Sequence, residues 1–363
     1  MIATPEVRVP APTMRVASFE DYDAIAGVES AAGLLPRPHE RWTHLWRGNP
    51  AYAATPGWPI GWVLEERNGR IVGSIGNVPS FFHLRGRVHL AATLIGWGVE
   101  QAYRNFSLML VAHQTQFPGV DLHLVNTAAV TTSAIFTKLK WSRVPVGQWD
   151  RSALWITRYS GAVSAYLRTK FPGRAGRLAT IAAHPAAALI DRLPRPAKFK
   201  TNAQLDWLNA FDEGFDEFWS DLLAANPDVL LACRSRETLQ WHFRDPWILS
   251  VRRGARMIGY AILQRKDSIA LGLARMLLVD LQTIGNDPAL TSAMMEAILG
   301  RCREDKIDVL ENAGCWLEHL RPHHIAPSRC RDLDSWCYLY KAKNSALDGA
   351  KWYPTQYDGD ASL

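Results

Sequence analysis

The same order of local signals occurs twice along this chain, and that repetition limits the folds open to it more than any other feature. A helical stretch closing on Trp46-Arg47-Gly48-Asn49-Pro50 has a counterpart closing on Phe243-Arg244-Asp245-Pro246. After each comes an apolar strand, a turn and a second strand: Gly61 to Leu64, Asn68-Gly69 and Ile71 to Gly73 in the first half, Ile248 to Val251, Gly254-Ala255 and Met257 to Tyr260 in the second. Asn-Gly and Gly-Ala supply the positive φ angles of a tight turn, so both read as hairpins. A longer strand follows, Ala91 to Val99 or Ala274 to Leu281, and leads into a helix with one apolar face, Ser107 to Gln116 or Leu290 to Glu304. Each run closes on a strand of matching type, Val120 to Asn126 against Ile307 to Asn312, with Asp second and Asn last.

Length agrees with two units, since 363 residues exceed one ordinary core of about 150 residues. The expected division is a flexible N-terminus over 1–13, a first domain over 14–158, a basic helical linker over 159–204, a second domain over 205–345 and a polar tail over 346–363 that frays. The net charge of +6 invites nucleic acid, but residues 151–200 hold ten Arg or Lys against the single Asp191 and the remainder is slightly acidic. Nucleic acid is therefore not the expected partner. Charges spaced among Ala, Leu and Ile suit a solvated connector, with contact to an acidic partner or to anionic lipid headgroups as the alternative.

No apolar run approaches the roughly 18 residues of a membrane helix; Ile181 to Ile190 is short and broken by His184 and Pro185. The start lacks the basic-then-apolar pattern of a secretory signal, and the five cysteines, all from Cys233 onward, form no disulfide framework. A cytoplasmic location is the expectation. Nothing in the residues sets an oligomeric state.

Val99-Glu100-Gln101-Ala102-Tyr103-Arg104, followed by Asn105-Phe106-Ser107-Leu108, resembles the strand-to-helix turn of the GNAT acyltransferases. Ser133 to Trp141 resembles that family's late helix. On this resemblance residues 15–158 are one copy and 211–342 a second, more divergent one. The implied fold class is α/β (α+β), two GNAT-like domains, each a mixed, mostly antiparallel twisted sheet flanked by helices. The nearest likeness is to double-GNAT proteins, including acyltransferases of bacterial polysaccharide synthesis and, more distantly, Fem-type aminoacyl transferases.

The resemblance implies acetyl-CoA or another acyl-CoA as co-substrate, held by Val99, Tyr103, Arg104, Asn105, Phe106, Ser107 and Leu108. Independently of any family, a helix that starts directly after a strand offers unpaired N–H groups and a positive dipole end to a pyrophosphate, and Arg104 adds a charge-assisted contact. Two departures bear on this. Asn105, Ser107 and Met109 stand where the family has small residues, and Phe136 stands where a Tyr often protonates the leaving thiolate. Glu100 is the candidate base for the attacking amine, with His123 in reserve. The second turn, Gln282 to Pro288, lacks a Tyr-Arg pair and carries Asp287, which suits a helix cap and repels phosphate. Coenzyme A is thus expected in the first copy alone.

Cys315, His319, His323, His324, Cys330 and Cys337 form a group of soft ligands without zinc-site spacing, so no metal is expected. Trp42, Trp46, Trp58 and Trp62 could stack on sugars, though their spacing suits packing. The function expected is acyl-CoA-dependent N-acyl transfer to an amine of a small or carbohydrate-linked acceptor. The alternatives are a double-GNAT scaffold without catalysis and Fem-type aminoacyl transfer using the basic linker to hold transfer RNA.

Overall fold

The computed structural model describes residues 10–193, 199, 201–323, 325–334 and 337–363. The chain opens with β1 (Thr13–Val16), α1 (Tyr22–Ala31), α2 (His39–His44) and α3 (Pro50–Ala53), followed by a meander of β2 (Gly61–Glu65), β3 (Ile71–Leu84) and β4 (Arg87–Val99). Local chemistry sets these boundaries. The Asn49 side chain accepts the Ala51 amide at 2.9 Å while Pro50 takes the first helical position, so α3 starts there. Gly69 turns the first hairpin at φ 87°, and Arg85 and Gly86 turn the second with both φ values positive. α4 (Ser107–Gln116) then returns the chain to β5 (Leu122–Ala128), parallel to β4, before α5 (Val130–Lys138) and the short β6 (Ser142–Arg143).

Next β7 (Arg151–Ile156) leads into a helical hairpin of α6 (Tyr159–Lys170) and α7 (Arg174–Arg192). The second half runs a similar course: β8 (Gln204–Leu208), α8 (Gly214–Ala225), β9 (Val229–Ala232), α9 (Arg236–His242), β10 (Trp247–Arg253), β11 (Arg256–Arg265), β12 (Arg275–Thr283), α10 (Pro288–Glu304) and β13 (Val309–Ala313). β14 (Arg329–Asp332), β15 (Cys337–Ala342) and β16 (Lys351–Trp352) complete it.

Two mixed, mostly antiparallel sheets result, flanked by helices. The first runs β1-β2-β3-β4-β5-β15-β6 and the second β14-β7-β13-β12-β11-β10-β8. The halves trade a strand. β15, from the end of the chain, fills the slot between β5 and β6, and β7, from the first half, fills the matching slot between β13 and β14. A strand's alternation is the same whichever sheet receives it, so local sequence assigns residues 151–156 to the first unit and 337–342 to the second. β9 adds a further tie by pairing with the far end of β3. The largest of the apolar clusters spans both halves, with Phe82, Leu122 and Trp155 packed together with Tyr260, Met294 and Trp316, while two smaller ones lie at the first sheet.

The segment expected to fray at the end is buried instead. Trp352 is enclosed beside Phe82, Tyr338 and Tyr340, and Thr355, Gln356, Tyr357 and Asp358 lie between the sheets. Its polarity, which reads as solvent-facing, is consumed by internal partners. Arg234, its side chain 0% exposed, donates to Asp280 at 3.0 Å, Asp358 at 2.8 Å, Thr355 at 3.2 Å and the Ala232 carbonyl at 2.9 Å. Of the loose start expected over 1–13, residues 1–9 lie outside the described residues. Thr13 already pairs with Glu65 in β1.

Candidate active site

β4 and β5 share only three rungs, Ala91–Leu122, Ala92–His123 and Thr93–Leu124, and then part. The opened stretch of β4 is also bulged: Gly96 and Trp97 together stand opposite the single Ile75 of β3. Gly96 adopts φ 54°, which favours glycine, and a Cβ there would meet the Glu29 carboxyl at 2.2 Å. A bulge leaves backbone groups outside the ladder, here in the middle of the opening.

From Val99 the chain enters a 3-10 turn, Gln101–Phe106, that runs directly into α4. Tyr103 is buried, while Arg104, Asn105, Leu108 and Met109 are exposed and Phe106 and Ser107 half-buried. Met109 therefore does not close the turn. No side chain caps α4, but the Ser107 amide already donates to the Arg104 carbonyl. The Gln101 and Ala102 amides precede the first bonded one, Tyr103 to Glu100, and no turn of the helix uses them. Trp97 stands at the mouth of the opening, its Nε1 donating to the Ser107 carbonyl at 3.3 Å and its ring 5.7 Å from Phe136 of α5.

Glu100 and Tyr103 are drawn to the β2–β3 turn. Arg70 bonds Glu100 at 2.8 Å and Glu66 at 2.8 Å, and the Tyr103 hydroxyl donates to Glu66. The Arg70 and Tyr103 contacts pull the Glu66 carboxyl down to about 2. His123 is fully buried with neither ring nitrogen bonded, and burial, with Lys343 and Lys341 adding, pushes its imidazole down to about 3. The two candidate bases are thus apart from each other, one in an ion pair and one in the core. Phe136 is buried against Trp141.

A different acid lies against the opened strand. Glu29, on α1, abuts Gly96 in a crevice lined by Trp42, Trp46, Ser74 and Gly76. Burial pushes its carboxyl up to about 7, offset in part by Arg37. Arg37 in turn bonds Asp360 at 3.0 Å, and Asp360 accepts from Thr127 on the opened part of β5 at 3.3 Å. The Gly96-Trp97-Gly98 run was the available signal for this bulge, since glycine inside a strand pattern marks a bulge or a close approach. Glu29 itself reads as an ordinary helix residue.

Beside this point a narrow crevice runs between the halves, from Thr93 and Pro79 to Cys233, His242, Tyr357 and Asp360. His242 bonds the Ser362 hydroxyl at 2.6 Å and also borders a wider vestibule. The vestibule presents Arg41, His44, Arg244, Arg265 and Lys266, with Asp245 as the one acid lining it among the described residues. Trp42, Trp46, Trp58 and Trp62 are buried, and the Trp46 and Trp58 indoles both donate to the Asn77 carbonyl. Of the cysteine-histidine group, Cys337 lies in the first sheet and Cys330 in the second, and His324 is outside the described residues.

The second half repeats the opening with other contents. β12 and β13 share three rungs, Arg275–Val309 to Leu277–Glu311, and part. Asp280 in the opened stretch of β12 receives Arg234, the Tyr260 hydroxyl at 2.6 Å and the Thr355 hydroxyl at 2.9 Å. At the start of α10 the Asp287 side chain accepts the Ala289 and Leu290 amides at 2.8 and 3.2 Å.

Two parallel strands that part after a few rungs, a bulge in the first and a helix between them describe a known architecture. The chain has the GNAT fold. It is similar to a GCN5-related N-acetyltransferase from Anabaena variabilis, at 12% identity and TM-score 0.56, over 92% of this chain and 73% of that one. It is also similar to Saccharomyces cerevisiae N-myristoyltransferase with bound myristoyl-CoA, at 14% identity and TM-score 0.53, over 94% and 82%. A GCN5-related N-acetyltransferase from Kribbella flavida aligns at 9% identity and TM-score 0.55, over 93% and 74%. No protein-family model and no curated protein matches the chain. Among the described residues no helix is long and apolar enough to cross a membrane.

Proposed function

We propose that the protein is an acyl-CoA-dependent N-acyltransferase whose acyl donor enters the β4–β5 opening and whose amine acceptor enters between the halves. The observation that carries this reading is the opened and bulged β4 leading to an uncapped helix with exposed Arg104 beside it. Unspent strand groups suit a pantetheine arm, and the amides of Gln101 and Ala102 with the Arg104 guanidinium suit its diphosphate. Myristoyl-CoA bound to the yeast neighbour on this fold supports an acyl-CoA donor.

Glu29 replaces Glu100 and His123 as the base in this reading. It lies against the bulge, and a carboxyl poised near 7 is half ionised where amines are acylated. The amine nitrogen bonds to the thioester carbon, the carbon–sulfur bond breaks, and the amine proton passes to Glu29. The thiolate leaves unaided, since Phe136 offers no proton. In the vestibule Arg244 and Arg265 already pair with Glu40 and Asp267, so an anionic group on the amine would meet Arg41 and Lys266 there.

Thermal-shift titration tests the donor half. Acetyl-CoA should raise the unfolding midpoint by mass action, and Arg104→Ala should weaken that response. No shift at millimolar acetyl-CoA would refute it. One observation favours the scaffold alternative: Trp97 spans the opening from Ser107 to Phe136 and must move for a donor to pass. Under that alternative neither acetyl-CoA nor a longer acyl-CoA binds Trp97→Ala protein.

A further inference from the structure

The α6–α7 hairpin is amphipathic in the reverse of the usual sense. The buried residues of α7 are small: Gly176 and Ala187 face inward, and a Cβ on Gly176 would meet the Phe171 carbonyl at the end of α6 at 2.0 Å. Such close backbone approach spends the inner face of the helix on Gly and Ala. Its large aliphatic residues point out, with Leu178, Ile181 and Leu189 at 68%, 70% and 65% exposure. With Pro185 they recur at three- and four-residue spacing, which lines one face of a helix.

Charge frames this stripe. Arg174 lies one turn before Leu178 and Arg192 one turn after Leu189, on the same face, and the exposed Arg177 and His184 follow one flank. Phe171, exposed at the bend, sits between Lys170 and Arg174 in the sequence. The one acid of residues 151–200, Asp191, is turned inward, where it accepts the Tyr159 and Ser160 amides at the start of α6. The outward surface is therefore apolar and cationic with no opposing carboxylate from its own segment.

We propose that this hairpin docks on an anionic lipid bilayer, with Leu178, Ile181 and Leu189 entering the headgroup–acyl boundary and the arginines meeting lipid phosphates. An aliphatic stripe bordered by Arg is the pattern of a helix lying in the interface plane. A second copy of this chain would bring the same cations to the same face, so charge opposes self-pairing and favours an anionic surface. The inference stands apart from the acyltransferase reading.

Co-sedimentation of the full chain with vesicles tests it, using phosphatidylcholine alone and phosphatidylcholine mixed with phosphatidylglycerol. The protein should be retained by the mixed vesicles, less so at high salt, and not by phosphatidylcholine alone. Leu178→Ser and Leu189→Ser should each lower partitioning about tenfold, and Arg174→Gln and Arg192→Gln about fivefold each. Because these side chains are exposed, the unfolding midpoints should stay unchanged, which separates lost docking from lost folding. Equal retention on both vesicle types, retention on neither, or serine variants that bind as well as the parent would overturn the proposal. So would a concentration-dependent dimer in sedimentation velocity that Leu189→Ser abolishes.

Discussion

The wedge between β4 and β5 and the wedge between β12 and β13 share a backbone and differ in what occupies them. In the first, three rungs give way to a bulge, an aromatic pair and a helix start with no side-chain cap. In the second, three rungs give way to a buried arginine with two aspartates, and the helix start is filled by Asp287. The difference teaches how one opening serves two ends. A wedge with its backbone groups unspent can receive a ligand, whereas one whose groups are bonded internally joins the halves together.

The largest effect that would break this comparison is on stability. Arg234→Met leaves Asp280 and Asp358 buried without their cation and should cost about 3–5 kcal/mol in urea unfolding. An unchanged midpoint would mean that the second wedge is not held by charge. Next in size, Glu29→Gln should lower the rate of amine acylation by about a hundredfold or more and remove the inflection near pH 7 from its pH profile. Stability gives a separate reading of the same group. Its folded pKa, about 7, lies above its unfolded value, so its contribution should fall as pH rises from the ordinary carboxylate range to 7 and level off above. Glu29→Gln should flatten that slope and raise the neutral-pH midpoint.

Smaller effects sharpen the contrast between the two helix starts. Arg104→Ala should weaken acetyl-CoA binding about tenfold by calorimetry. Asp287→Ala should leave that affinity intact while costing about 1 kcal/mol of stability through the lost cap. Loss of coenzyme affinity in the Asp287 variant would show that both wedges take part. Last, Trp97→Ala should tighten acetyl-CoA binding by about threefold, the scale of one aromatic pair contact released. A weaker complex would make Trp97 a wall of the site rather than an obstacle.

Much of the architecture was legible because it is local. Asn68-Gly69 and Gly254-Ala255 mark turns by their own φ requirements, and the helix expected from Ser107 to Gln116 has those limits. Asp287 before Pro288 was readable as a cap for the same reason. The strand exchange was not, since Arg151–Ile156 and Cys337–Ala342 carry strand patterns that name no partner. The tail misled because Thr355 and Asp358 are polar, and their reason to be buried lies far away in sequence, in Arg234 and Asp280. At the site, Tyr103 and Arg104 mark the turn by a local motif. Glu29 becomes a titrating group only through burial against Gly96, and Glu100 is held by Arg70 across a hairpin. Such neighbours follow from tertiary packing, which a single helix or strand does not encode.

The traded strands also set an order of assembly. During translation β5 and β6 leave the ribosome with a vacant rung between them, and β15, their partner, follows only after β7 to β14. The first sheet must wait with an open edge, exposed to unwanted pairing, until the strands of the second half have been made. Maturation is thereby dominated by contacts between distant residues, which makes it slow and indivisible. Cutting the gene between the halves would produce two fragments that each lack a strand, and mixing them should restore both sheets where neither fragment alone can.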